Sequence, residues 1–123
     1  MEIIITKSEV KVDDYNIYHT LYFKHNGEDR KMRLKCYDYT DNTLYHYLYI
    51  YNSKEEIYEY VGNVFNLWDD SEEETECSKK DKELSMKIVW ELREEGFSFE
   101  GEDRIDYQCN FNLPHKLELS YEK

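Results

Sequence analysis

The 123-residue chain carries 28 acidic and 16 basic residues, a formal net charge of −12, with 40% hydrophobic and 36% charged content. That length allows one domain with one core, and the acidic balance works against direct binding of duplex nucleic acid or an anionic membrane. Met1-Glu2-Ile3-Ile4-Ile5 lacks the basic start and long apolar run of a secretory signal, and no stretch approaches the roughly 20 apolar residues that span a bilayer.

Ile3-Ile4-Ile5 is expected to open a sheet. Tyr18–His25 alternates in character and ends at Asn26-Gly27, a pair whose tolerance of positive φ marks a tight hairpin between alternating runs. Lys31–Tyr37 returns with cleaner alternation, and Leu44–Tyr51 alternates again after the polar turn Asp38–Asn42. An antiparallel meander of three to four strands follows. Ser53-Lys54-Glu55-Glu56 reads as a capping box, with Ile57, Tyr60, Val61, Val64, Phe65 and Trp68 at helical spacing behind it. A second helix is predicted from Ser78 as N-cap and from Leu84, Ile88, Val89 and Leu92, with Gly96 placed to stop it. The tail offers Asp103–Phe111 and His115–Tyr121 as further strands, with Pro114 in the turn between them. The expected fold is a single α+β domain over residues 1–123. It comprises an antiparallel sheet with one or two C-terminal strands, two helices packed on one face, and an acidic flexible linker at 69–77 between those helices.

Period-2 sorting of the central strands separates two faces. His19, Leu21, Phe23, Met32, Leu34, Cys36, Leu44, Leu48 and Ile50 form a core face, onto which His46 also falls. Tyr18, Thr20, Tyr22, Lys24, Lys31, Arg33, Lys35, Tyr37, Tyr45, Tyr47, Tyr49 and Tyr51 form the other. Such a surface can be plain cross-strand cation–π packing, or a binding face built from large amphipathic rings. Arg33, Tyr45, Tyr47 and Tyr49 are its candidate anchors for an adaptor or immunity-type contact. Aromatics between cations also suit single-stranded nucleic acid, although the acidic charge opposes it.

That charge is local. Residues 54–106 hold 18 acidic and 7 basic residues, whereas residues 1–53 hold 8 and 7. Carboxylates held at many positions can imitate a nucleic-acid backbone and compete for a basic groove. Asp69, Asp70, Glu72, Glu73, Glu74 and Glu76, with Glu91, Glu94 and Glu95 on the second helix, are the candidates for such contacts as phosphate surrogates. In size and charge the chain is similar to the small acidic inhibitors of nucleases and defence complexes, including anti-restriction and anti-CRISPR proteins, that phages and mobile elements carry.

Catalytic and metal chemistry finds little footing. Asp69–Glu76 lacks the alternating ligands and mid-loop glycine of an EF-hand, and the histidines at 19, 25, 46 and 115 show no ligand spacing. Glu9-Val10-Lys11 resembles the E-x-K fragment of metal-dependent nucleases but has no suitable upstream carboxylate. Cys77 lies among acids that blunt its nucleophilicity, while Cys36 and Cys109 read as small packing residues on strands. Three cysteines without C-x-x-C spacing suggest neither a disulfide scaffold nor a zinc clip, so a reducing cytoplasm is the expected compartment (the host's, for a phage-encoded chain). The sequence therefore points to a non-enzymatic protein without cofactor or metal. Its expected partner is a basic protein that processes nucleic acid, and a homodimer is also compatible.

Overall fold

The computed structural model describes residues 2–13, 16–38, 44–63, 75–95 and 113–119. They form β1 (Glu2–Asp13), β2 (Asn16–His25), β3 (Glu28–Asp38), β4 (Leu44–Asn52), β5 (Ile57–Asn63), α1 (Lys79–Glu94) and β6 (His115–Glu118). The strands make one six-stranded antiparallel sheet in the order β5-β4-β3-β2-β1-β6. β1 to β5 follow one another as neighbours, and β6 returns to the far side of β1. The strand expected at Asp103–Phe111 and the helix stop at Gly96 lie outside the described residues.

The meander forms where alternation and turn chemistry agree. Asn26 and Gly27 adopt φ of 52° and 78°, so both central residues of the β2–β3 turn are left-handed. This matches the twist of the flanking strands. Two irregularities then decide which side chains face which way. Between Ile5 and Lys7 the β1–β2 register shifts by one residue at Thr6. Ile3 and Ile5 point into the core before the shift, and Lys7, Glu9 and Lys11 stand on the opposite face after it, across from Tyr22, Thr20 and Tyr18. A bulge of this kind reverses the parity of a strand without ending it. A second shift lies opposite Leu48 and Tyr49, where β5 buries Val61 yet keeps Tyr58 and Tyr60 across from Tyr51 and Tyr49.

One expected helix is absent among the described residues. Over its described residues, 53–63, the stretch read as the first helix is a turn followed by β5, so one helix rather than two accompanies the sheet. Asn52, not Ser53, caps the local turn. Its Oδ1 accepts from the backbone N–H of Lys54 at 3.0 Å and of Glu55 at 3.2 Å, and Glu56 closes the turn with φ of 56°. The run Ile57-Tyr58-Glu59-Tyr60-Val61 satisfies period 2 as well as the i, i+4 spacing of a helix. Its β-branched and aromatic residues favour the pleated alternative, in which Tyr58 and Tyr60 pair with tyrosines of β4. As a strand it also changes the setting of the acidic stretch at 69–77, which follows β5 instead of joining two helices.

The second predicted helix is α1. Ser78 caps it, its Oγ accepting from the Asp81 N–H at 3.2 Å. Leu84, Ile88, Val89 and Leu92 line one stripe and bury against Ile3, Ile5, Leu21, Phe23, Met32, Leu34, Leu48, Ile50, Val61, Leu117 and Leu119. Full burial of each such aliphatic contributes roughly 1.5–3 kcal/mol relative to exposure. Arg30 fixes the helix start to the sheet with a bidentate pair, Nη1 and Nη2 donating to the Asp81 carboxylate at 3.0 and 3.2 Å. Among the described residues, no helix is long and apolar enough to cross a membrane.

His19 belongs to this interior, only 1% exposed, with Nε2 2.7 Å from the Ser8 hydroxyl. Burial pushes its pKa down to about 4 from an ordinary 6.5. The folded state therefore holds the ring neutral where the unfolded chain would already be charged. Stability from this group is complete above pH 6.5, falls as the pH drops toward 4, and levels off about 3 kcal/mol lower. In urea unfolding between pH 7 and pH 4, the His19→Gln variant is expected to lose correspondingly less stability than the wild type. Equal losses in both proteins would contradict this.

A second expectation concerns Gly27, where a Cβ would meet nothing within 4 Å. The cost of Gly27→Ala is thus purely conformational, about 1–2 kcal/mol for a left-handed alanine, and Gly27→Asn should cost less. Denaturant midpoints with unchanged slopes would establish both values.

Candidate binding face

With α1 packed on one side of the sheet, the opposite face is sealed by its own side chains. β1 supplies Lys7, Glu9 and Lys11, and β2 supplies Tyr18, Thr20 and Tyr22. β3 contributes Lys31, Arg33 and Lys35, β4 contributes Tyr47, Tyr49 and Tyr51, and β5 contributes Tyr58 and Tyr60. Lys24 and Asp29 continue the same face beside Tyr22 and Lys31, paired with each other. The seven tyrosines are half-buried rather than open to water.

The cations and rings interleave across the strands. Lys7 lies 5.1 Å from the Tyr22 centroid, and Lys31 lies 5.8 Å from the same ring. Lys31 also stands over Tyr51 at 4.3 Å and Tyr58 at 5.5 Å. The Arg33 guanidinium carbon sits 3.9 Å from the Tyr58 centroid and 5.2 Å from that of Tyr18, which Lys35 approaches at 5.8 Å. The sequence Lys7, Tyr22, Lys31, Tyr58, Arg33, Tyr18, Lys35 thus forms an alternating ladder of charge and ring. Individual contacts of this kind contribute about 0.5–1 kcal/mol at exposed sites.

Tyrosine pairs extend the ladder to the sheet edge. Tyr49 and Tyr60 meet edge-on with centroids 5.5 Å apart, Tyr51 and Tyr58 at 5.0 Å, and Tyr47 and Tyr60 are tilted at 6.1 Å. Thr20 is buried at the centre, and its hydroxyl accepts from Arg33 Nε at 3.5 Å. Burial pushes the Tyr58 phenol up from its ordinary pKa, and Arg33 beside it partly offsets that rise.

The sequence candidates fare unequally. Arg33, Tyr47 and Tyr49 come together on this face, whereas Tyr45 is placed only by its backbone pairing with Tyr37. Lys7, Tyr58 and Tyr60 were not among the anchors expected from sequence. The two tyrosines could have been found from the alternation of 57–61, but Lys7 depends on a bulge that no residue pattern announces.

Among the acidic candidates, Asp69, Asp70, Glu72, Glu73 and Glu74 lie outside the described residues. Glu76 seals the β5 edge: its N–H donates to the Tyr60 carbonyl at 2.9 Å, and its carboxylate accepts from the Tyr60 N–H at 3.0 Å. Glu91 is half-buried on α1, Glu94 is exposed, and Glu95 pairs with His115 at 2.5 Å. α1 itself is close to neutral, with five basic and four acidic residues.

Two clefts flank these features. One of about 200 Å³ lies at the Lys31 end of the ladder between Tyr22, Arg30, Tyr51 and Ser53. One of about 420 Å³ lies beside α1 between Thr75, Lys79, Lys82, Glu83 and Met86. Cys77 is buried, and burial, followed by the Asp81 charge, pushes its thiol pKa up, which disfavours the reactive thiolate. Among the described residues, no group of three His, Cys, Asp or Glu side chains converges as a metal site requires. No protein-family model, curated protein or solved structure matches this chain.

Proposed function

We propose that this protein is a non-enzymatic binding module that docks a partner protein on the tyrosine–cation face of its sheet. The observation that carries this reading is the ladder itself. Seven tyrosines, four of them in contact with Lys7, Lys31, Arg33 or Lys35, occupy one face of a chain whose net charge is −12. Tyrosine and arginine are the side chains that give protein interfaces their anchors, because they contribute large area at low entropic cost. The chemistry of the face asks for a partner with an acidic patch. The surrounding negative charge of this protein favours a basic rim around that patch.

A second reading keeps the acidic stretch as the contact. In it, Asp69, Asp70, Glu72, Glu73, Glu74 and Glu76 occupy the basic groove of a nucleic-acid-processing protein, as an inhibitor of the anti-restriction or anti-CRISPR kind would. The position of Glu76 favours it, since this end of the run is fixed to the β5 edge by two hydrogen bonds.

Affinity capture with three forms of the full chain separates the two readings. The forms are wild type, Tyr47→Ala/Tyr49→Ala, and a variant with Asp70, Glu72, Glu73 and Glu74 changed to Lys, each checked for folding by circular dichroism. Docking on the sheet predicts at least about tenfold weaker recovery for the tyrosine variant, retention by the charge-reversed form, and persistence at high salt. Loss of recovery with the charge-reversed form and at high salt, but not with the tyrosine variant, would instead support competition for a basic groove.

A further inference from the structure

Ion pairs engage some cations of the chain and not others. Lys7 pairs with Glu9, Lys24 with Asp29, Arg30 with Asp81, and Lys116 with Glu2. Lys31 and Arg33, at the centre of the face, have no carboxylate partner among the described residues. Both stand over the same ring, Tyr58.

Arg33 is also held in place. Its guanidinium stacks on Tyr58 at 3.9 Å and is steadied from below by the buried Thr20 hydroxyl. A guanidinium has five N–H donors in a planar fork, and these contacts engage only part of them. A stacked, pre-oriented fork beside an ammonium group is suited to an oxyanion, and the ordering cost of the arginine has already been met within the fold.

We propose that Lys31 and Arg33, set over Tyr58, form an oxyanion subsite that receives an acidic side chain of a partner protein. This rests on the docking reading given above and names its specificity element. The oxyanion is a carboxylate rather than a nucleic-acid phosphate for two reasons. The faces of Tyr18, Tyr22, Tyr51 and Tyr58 already carry cations, and the remaining tyrosines meet one another edge-on or tilted, so bases would have to displace these contacts to stack. The net charge of −12 also repels a polyphosphate along its whole length, while a protein need present only a local acidic patch.

The test titrates the full-length protein with three labelled probes: hexaglutamate, hexaglutamine and hexathymidylate. Fluorescence anisotropy gives affinity, and NMR of the Arg33 side-chain Nε–H and the Tyr58 ring gives position. Saturable binding of hexaglutamate alone is expected, with shifts at both residues. Lys31→Gln and Arg33→Gln should each weaken it at least about tenfold. Arg33→Lys should retain part of the affinity, and Glu83→Gln, on the exposed side of α1, should leave it unchanged. If Arg33→Gln proves unfolded, Lys31→Gln, Arg33→Lys and the wild-type shifts still decide the question.

Failure of hexaglutamate to bind, equal binding by the charge-removed variants, or tighter binding of hexathymidylate would each overturn the subsite. A captured partner that is lost with Tyr47→Ala/Tyr49→Ala but retained by Arg33→Gln would overturn the subsite while leaving the docking face standing.

Discussion

A six-stranded sheet has two faces, and in the described structure one helix covers only one of them. Every other feature follows from that constraint. The covered face can be plain aliphatic. The other must satisfy water and still hold the strands together, which excludes a second layer of Leu and Ile. Tyrosine rings beneath lysine and arginine stems meet both demands, since each side chain presents apolar area to its neighbour and a polar end to solvent. The bulge at Thr6 makes this possible on β1, by changing which residues face outward between Ile5 and Lys7. Without it, Lys7, Glu9 and Lys11 would be aimed at the core.

Charge is distributed along the same division. The sheet face carries an excess of cations, α1 is nearly balanced, and the acidic excess lies mainly in sequence segments between the described elements. Arg30, at the neighbouring strand position and on the opposite face, pairs fully with Asp81, whereas Lys31 and Arg33 stand over tyrosine rings. The same chemical group thus serves as an internal clamp on one side of β3 and as a surface cation on the other.

Much of this arrangement is legible in the residues. Asn26-Gly27, the alternation of β2 to β4 and the Ser78 cap each combine two agreeing signals, a periodicity and a punctuation residue, and each element is where the pattern places it. The division of β2, β3 and β4 into two faces follows from alternation alone. β5 was obscured because Ile57 and Val61, four apart, satisfy both a helix and a strand, while Ser53 and Glu56 imitate a capping box. Only the hydrogen bonds of Asn52 and the tyrosines across the ladder resolve the choice, and both are tertiary or turn-level facts. The contribution of Lys7 was invisible for a related reason, because a one-residue register shift leaves no mark in composition. The acidic run was plain as charge, yet its attachment to the sheet edge through Glu76 and Tyr60 could not be read from it.

The most direct measurement is to record tyrosine ring and arginine side-chain NMR signals of the full chain, free and bound to its captured partner. Docking on the sheet requires the changes to cluster on Tyr18, Tyr22, Tyr49, Tyr58, Tyr60 and Arg33, with the outer surface of α1 unaffected. Changes confined to α1 and to the acidic stretch around Glu76, with the tyrosine rings undisturbed, would contradict it.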